Sequence, residues 1–231
     1  MPLDNDTAIM GSNVHFEQTQ WNLVQAARDL KSLEALVHIY WKPLYFFVRQ
    51  HGYDNETAKD VTQEFLMSLV ERDVLTRADP ARGRFRTFLL SALSNFLKDW
   101  RKSERAQKRG GGSPVLSLDF QRGEDEFTRQ VSRGEPPETV LNRAWARSLW
   151  EKSMSQLEAD DAHLHAFRLY LVDTPYDVIS AHTGLSESAA KTAVHRIKLQ
   201  LRDIVIGHIR QTCASEEDVK AEVAEFLALL S

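Results

Sequence analysis

The chain has 231 residues, of which 42% are hydrophobic and 27% are charged, and its formal net charge is −4. That length allows one large domain or two small ones, with a composition ordinary for a globular protein. A single cysteine excludes an internal disulfide and any cysteine-based zinc site, and we expect no metal and no cofactor. The N-terminus does not resemble a secretory signal, and no run of about 18 apolar residues occurs, so we expect a cytoplasmic protein.

Charge is distributed unevenly along the chain. From Arg82 to Arg109, nine arginines and lysines stand against Asp99 and Glu104, a net charge of +7, so the rest of the chain carries −11. A local basic surface can attract phosphate despite the total, because salt screens charges beyond about 8–10 Å. The acidic remainder is expected to weaken indiscriminate binding to DNA.

Apolar residues three and four apart predict four helices in the first half of the chain, at residues 18–29, 32–51, 55–72 and 85–105. Pro43 lies inside the second of these and predicts a kink or a restart. Residues 52–54 predict a helix end followed by a cap, and Asp79-Pro80 with Gly83 predicts a turn. Residues 18–108 therefore form the first predicted domain.

A change of composition at residues 109–137 marks a domain boundary. Three glycines at 110–112, a charged run and Pro136-Pro137 predict a flexible linker, with a short extended piece at 115–118. A phosphate-binding loop is the alternative interpretation of the glycines. That loop requires a preceding strand and a following Lys-Ser or Lys-Thr pair, and neither is found in the sequence pattern.

The second predicted domain covers residues 138–206 and continues the helical pattern. Two helices are predicted first, at 139–157 and 160–172. A third begins with Thr174 as its N-cap and Pro175 in its first turn. Residues 215–218 open an acidic last helix within a C-terminal extension at 207–231. Sustained apolar–polar alternation occurs nowhere, so the expected fold class is all-α, with two small helical domains joined by a flexible linker.

From Pro175 to Arg202 the pattern predicts a helix-turn-helix, in which Gly184 supplies the positive φ of the turn. The inward residues of its second helix are Ala190, Val194, Ile197 and Leu201. The opposite side can offer hydroxyls to base edges and cations to phosphates. Its candidate DNA contacts are Ser188, Lys191, Thr192, His195, Arg196 and Arg202. The alternative is an ordinary amphipathic hairpin with a solvated basic face. The outward Leu199 does not fit DNA contact and suggests contact with a partner.

A second candidate site lies on the helix at 55–72. Asp60, Gln63 and Glu64 are spaced i, i+3 and i+4 and therefore share one face. The buried stripe is predicted to comprise Ala58, Val61, Phe65 and Leu69. An acidic, amide-bearing face does not bind phosphate, and taken alone it indicates a solvated surface. Paired carboxylates also suit acid–base catalysis, but no histidine or second carboxylate cluster is linked to them in sequence.

The helix at 85–105 interleaves basic and aromatic residues. Cations can follow the backbone of single-stranded DNA while aromatic rings stack on unpaired bases. The predicted contacts are Arg84, Arg86, Asn95, Lys98, Arg101, Lys102 and Arg105. Most of the rings, including Phe85 and Phe88, are expected to be core residues instead.

Together, and in this order, the three features resemble a sigma factor of bacterial RNA polymerase, of the small two-domain extracytoplasmic-function type of the sigma-70 family. The resemblance covers roughly Gln18 to Ile206. YWKPLYFFVRQHGYDNETAKDVTQEFLMSL and RGRFRTFLLSALSNFLKDWRK resemble the family's region two. PYDVISAHTGLSESAAKTAVHRIKLQLR resembles its region four.

The resemblance implies a role for each candidate surface. It implies that Asp60, Gln63 and Glu64 bind the β′ clamp helices of the polymerase core, and that region four contacts the β flap. The basic helix, with Asn95 at a reading position, would capture the minus-ten element of promoter DNA. The helix carrying Ser188 would read the minus-thirty-five element. An anti-sigma factor or another regulator is a further possible partner.

The sequence departs from the family pattern at three places. Ser188-Ala189-Ala190 is less polar than many recognition helices, which predicts modest upstream contact and weak DNA binding by the free chain. The linker is longer and more charged than a minimal one. Its acids at 119, 124, 125 and 126 would mimic nucleic acid inside the polymerase channel. The helix at 215–231 lies beyond the family's usual end, and we expect it to pack on region four or on a regulator and to shield basic DNA-binding surface.

Two other classes of function stay open. A helix-turn-helix regulator that binds DNA alone as a dimer explains Thr183–Arg202, but it explains neither the acidic face at 60–64 nor the basic helix. An enzyme is the third class, with His163, His165 and His182 as its best candidates. His163 and His165 point to different faces of a helix, so the expectation is that the chain is not an enzyme.

Overall fold

The computed structural model describes residues 30–71, 84–104, 118–132 and 134–230. These ranges contain helices and no strand, which confirms the all-α prediction. The helices, in chain order, are α1 Leu30–Gln50, α2 Asn55–Glu71, α3 Phe85–Glu104, α4 Phe120–Gln130, α5 Pro137–Met154, α6 Asp161–Leu171, α7 Tyr176–Thr183, α8 Glu187–Arg210 and α9 Glu216–Leu230.

Several sequence predictions lie outside the described residues. They are the helix at 18–29, the turn at 79–83, the glycines at 110–112, most of the extended piece at 115–118, and the candidate contact Arg105.

Helix α1 does not restart at Pro43, contrary to one of the two outcomes predicted. It runs unbroken from Leu30 to Gln50 with the proline inside it. Leu44, Tyr45 and Phe47 follow the proline directly, and each is at most 1% exposed. Burial of these side chains outweighs a proline penalty of about 3 kcal/mol, because each buried large side chain contributes about 1.5–3 kcal/mol.

The hydrophobic core is continuous across the predicted domain boundary. Helix α1 packs along α5, and α5 in turn packs on α8 and α9. Buried residues from α1, α2, α3, α5, α8 and α9 belong to one cluster. The two predicted domains, which the sequence predicts to be joined by a linker, therefore also pack against each other in this structure.

Within the predicted flexible linker at 109–137, residues 120–130 instead form helix α4. Its first turn is capped by Asp119, whose side chain accepts a hydrogen bond from the backbone N–H of Arg122. Phe120 is buried edge-on against Trp41 and Tyr45 of α1, at ring-centroid distances of 5.3 and 5.5 Å. Phe127, at the other end of the helix, packs edge-on against Phe46 of α1 at 5.5 Å. Charged residues dominate the sequence of α4 and mask these two aromatic contacts in the sequence pattern.

Gly123 permits α4 to approach α1 closely. A Cβ atom at this position would stand 3.1 Å from two ring carbons of Trp41, tighter than ordinary van der Waals contact. The missing side chain therefore leaves room for the Trp41 ring, and the helix axis can lie close to α1.

Helices α6, α7 and α8 enclose a small second cluster formed by Ala166, Ile179 and Ala190. Helix α7 begins at Tyr176 with Pro175 at its N-cap position and no side-chain cap, so the predicted cap at Thr174 is wrong. The turn that follows is held by the Ser180 hydroxyl, which donates to the carbonyl oxygen of Leu185 at 2.6 Å. The predicted helix-turn-helix geometry is thus formed.

The Gly184→Ala substitution should lower the free energy of unfolding by about 1–2 kcal/mol, because Gly184 has a φ of +73° that L-residues adopt with strain. Gly207, inside α8, offers the matched comparison, since a Cβ there meets nothing within 4 Å. Gly207→Ala should raise stability by about 0.5–1 kcal/mol through helix propensity. Urea unfolding followed by circular dichroism measures both, and equal shifts of the same sign would contradict the turn geometry.

Candidate functional site

The outward face of α8 carries the residues predicted to read duplex DNA. Ser188, Lys191, Thr192, His195 and Arg196 are all exposed, and Arg202 is half-buried. The inward residues of the same helix are buried as predicted, namely Ala190, Val194, Ile197 and Leu201. Leu199 is 40% exposed, which agrees with its predicted outward position.

Weak local contacts hold these polar side chains when the protein is free. Lys191 lies 3.6 Å from Glu187, and the Thr192 hydroxyl donates to the carbonyl oxygen of Ser188 at 2.9 Å. Arg202 pairs with Asp203 at 2.9 Å. Exposed contacts of this kind contribute about 0–1 kcal/mol, so a phosphate can replace them at little cost.

The three histidines considered for catalysis lie in different surroundings. His163 lies 2.7 Å from the Asp160 carboxylate and 3.0 Å from Arg196, while His165 and His182 are exposed. Across the described ranges, no group of three His, Cys, Asp or Glu side chains could hold a metal ion. Both contacts use Nδ1 of His163, which accepts from Arg196 only in the tautomer that does not donate to Asp160.

The acidic face of α2 is open to solvent. Asp60 and Glu64 are exposed and Gln63 is half-buried. Among the described residues, none forms a hydrogen bond or ion pair with these three side chains. On the opposite side of the helix, Val61 and Phe65 are buried in the core, together with Ala58 and Leu69 as predicted. The face therefore presents two carboxylates and an amide on a rigid helix.

The basic face of α3 is also exposed, at Asn95, Lys98, Arg101 and Lys102. Arg101 donates through Nε to the hydroxyl of Tyr53 at 3.0 Å, and its guanidinium lies 5.5 Å from the ring centroid. Tyr53 was not among the predicted contacts, because its place beside α3 depends on tertiary packing. It adds an aromatic ring to a surface that otherwise offers cations, an amide and the carboxylate of Asp99, which pairs with Lys102 at 3.4 Å.

The structure places Arg84 and Arg86 differently from the prediction. Arg86 is 6% exposed, and its guanidinium lies 4.2 Å from the ring centroid of Trp145 on α5. Its Nη2 pairs with Glu222 of α9 at 2.9 Å, and Arg84 pairs with Glu222 at 2.8 Å. Neither side chain belongs to the exposed basic face here, because the acids of α9 hold both arginines.

The contact between Arg86 and the acids of α9 is strengthened because the groups in it are charged. Burial disfavours the charge on Arg86, but hydrogen bonds to Glu222 and Glu225 outweigh it and raise the arginine pKa. Burial also disfavours the charge on Glu225, yet the hydrogen bond and charge of Arg86 lower its pKa. Both groups are therefore charged at neutral pH, and the contact is a charge-assisted one.

The acids predicted to line a polymerase channel are largely used inside the protein. Glu124 pairs with Arg49 of α1 at 2.6 Å, and Glu126 pairs with Lys42 at 2.9 Å. Asp119 caps α4, while Asp125 is exposed. Three of the four acids therefore form a cap or an ion pair within the protein itself. Local sequence pattern does not reveal these ion pairs, because the basic partners on α1 lie 75 and 84 residues away along the chain.

Acidification should weaken the α4 contact through Glu124. The hydrogen bond from Arg49 holds the pKa of Glu124 below its usual value. A lowered carboxyl pKa stabilises the fold above the pKa of the unfolded chain, and that stability is lost as pH falls towards the folded value. Glu124→Gln should therefore cost about 2 kcal/mol at pH 7.

The difference between wild type and Glu124→Gln should shrink as pH falls from 7 to 4. Urea unfolding at a series of pH values measures this, and the other carboxylates cancel because both proteins contain them. A difference that stays constant across this range would show that the pKa of Glu124 is the same in the folded and unfolded chains, so that Arg49 does not stabilise its charge.

No family model matches the chain, and neither the curated proteins nor the solved structures include a match. In the part of the chain that the structure describes, no helix combines the length and the apolar character needed to cross a membrane.

Proposed function

We propose that the protein is a promoter-specificity subunit, a sigma factor, that directs RNA polymerase to its promoters and has no catalytic activity of its own. The observation that carries the proposal is the face of α2 formed by Asp60, Gln63 and Glu64. It is exposed, acidic and unpaired among the described residues, and it stands in a chain that also presents two basic faces. An acidic face has no use in binding DNA, whereas a protein partner with a basic surface can pair with it.

The two basic faces suit different forms of DNA. On α8, short hydroxyl side chains and cations lie at the N-terminal half of a helix that follows a tight turn, which is the arrangement that enters a major groove. On α3, cations and an amide lie beside the ring of Tyr53, which suits unpaired bases. A single protein that must open DNA as well as find it needs both kinds of surface.

Weak DNA binding by the free protein agrees with the same proposal. The α8 face has Ala189 between its polar residues, and the remaining chain is acidic. A polymerase that holds the α2 face would bring α8 to the duplex and supply most of the affinity by effective concentration.

Binding to purified polymerase core tests the proposal. A fluorescently labelled wild-type protein should bind the core, and Asp60→Arg/Glu64→Arg should weaken this binding at least tenfold, about 1.4 kcal/mol, because two attractive charges become repulsive. Glu158→Arg/Glu217→Arg makes the same change of net charge at two exposed acids away from the face, and it should bind like wild type.

Absence of binding by wild type would count against the proposal, as would an equal loss in both double variants. If the free protein instead binds a specific duplex tightly as a dimer, without polymerase, the helix-turn-helix regulator is the better description.

A further inference from the structure

The C-terminal helix α9 packs into the middle of the protein. It contacts α5 and α8, which confirms the prediction that it packs on the second domain. Val219, Val223 and Phe226 are buried, and the Phe226 ring meets the Trp145 ring edge-on at 6.0 Å. The apolar stripe of α9 thus attaches it to α5.

The acids of α9 reach beyond the second domain to the start of α3. Glu222 is 2% exposed and accepts hydrogen bonds from Nε and Nη2 of Arg86, at 3.0 and 2.9 Å. Glu225 accepts from Nη1 of Arg84 at 2.8 Å and also lies 2.8 Å from Nη2 of Arg86. The backbone adds one bond, from the N–H of Phe85 to the carbonyl oxygen of Thr212, the second residue after α8, at 3.2 Å.

The two carboxylates offer Arg84 and Arg86 the same kind of acceptor that a phosphate of a nucleic acid would offer. A carboxylate and a phosphate both accept paired hydrogen bonds from a guanidinium, so the two compete for the same donors. Arg84 directly precedes α3 and Arg86 lies in its first turn. Further along the same helix, Asn95, Lys98 and Arg101 form its exposed face. While α9 is docked, these two arginines cannot bind phosphate.

We propose that α9 is an intramolecular clasp: Glu222 and Glu225 occupy Arg84 and Arg86 in the free protein, close the two halves of the chain on each other, and withhold these arginines from single-stranded DNA until α9 is released. This proposal rests on the proposed function, because it assumes that α3 is the helix that binds single-stranded DNA. It adds to that function a closed resting form that is built into the chain itself.

A graded series of glutamine variants tests the clasp. Glu225→Gln weakens the contact while leaving Glu222 in place. Because Glu225 is only half-buried, we expect this variant to fold. Glu222→Gln/Glu225→Gln removes both charges. Glu217→Gln is the matched control, because it neutralises an exposed acid on the same helix outside the contact.

Two measurements are made on each purified full-length protein. Fluorescence anisotropy with a labelled 12-nucleotide single-stranded DNA gives the affinity at low salt, and hydrogen–deuterium exchange gives the protection of residues 216–230. Glu225→Gln should bind the oligonucleotide about three- to tenfold more tightly than Glu217→Gln, since it frees one or two phosphate contacts. Its α9 amides should also exchange faster. Adding Arg84→Gln to Glu225→Gln should remove the gain in affinity.

The clasp is overturned if Glu225→Gln and the double variant bind no more tightly than Glu217→Gln, or if no variant binds the oligonucleotide. It is also overturned if the gain persists without Arg84, because the effect would then be general electrostatics. Polymerase is absent from these measurements, so their failure is distinct from failure of polymerase binding at Asp60 and Glu64.

Discussion

Trp145→Ala should lower the free energy of unfolding by about 3–5 kcal/mol, among the largest effects of any single substitution in this chain. Trp145 is 2% exposed. It contacts both Phe226 of α9 and Arg86 of α3. Its removal leaves a cavity between three helices and deprives the buried guanidinium of its aromatic neighbour.

Chemical unfolding at pH 7, followed by circular dichroism, measures this loss. Trp150 lies on the same helix and is only half-buried, so Trp150→Ala should cost clearly less. The hydrogen-exchange protection of α9 should fall in Trp145→Ala and be retained in Trp150→Ala. A loss below about 1 kcal/mol for Trp145→Ala would mean that α9 does not pack on α5 as described.

Lys42→Met should cost about 3 kcal/mol, because it leaves the buried carboxylate of Glu126 without one of its two cations. Lys42 Nζ lies 2.9 Å from Glu126 and 3.2 Å from Glu151, and the side chains of Lys42 and Glu126 are only 11% and 12% exposed. Arg122 still pairs with Glu126 at 2.8 Å, which places the expected loss at the low end of the range for buried pairs.

The double variant Lys42→Met/Glu126→Leu should recover most of this stability, because two apolar side chains of similar volume can replace a buried ion pair without loss. A double-mutant cycle by urea unfolding gives the coupling energy between the two positions. If the double variant is less stable than Lys42→Met alone, then Glu126 is stabilised mainly by Arg122, and Lys42 contributes little.

Local periodicity was sufficient to predict the helices whose apolar stripes face the core. Helix α2 begins at Asn55 as predicted and is described as far as Glu71, and the stripe through Val61 and Phe65 is buried as expected. The outward residues of α8 follow from the same reasoning, since a helix that buries Val194 and Ile197 must expose His195 and Arg196. These predictions depend only on residues close in sequence.

The features that sequence reasoning missed depend on partners far along the chain. Helix α4 packs on α1 through Phe120 and Phe127, and its acids Glu124 and Glu126 pair with cations of α1. Arg86 resembles an exposed DNA contact until Glu222, 136 residues later, is brought beside it. Charge pattern alone could not distinguish a cation that binds phosphate from one that binds a carboxylate, because the two sites require the same side chain.

The central claim is that this chain gives polymerase its promoter specificity, and in-vitro transcription tests it most directly. Purified core polymerase from the source organism is incubated with fragments of its genome, and the 5′ ends of the transcripts are mapped. Wild type should produce discrete start sites, Glu158→Arg/Glu217→Arg should reproduce them, and Asp60→Arg/Glu64→Arg should abolish them. If wild type adds no start sites beyond those of the core alone, the chain is not a sigma factor.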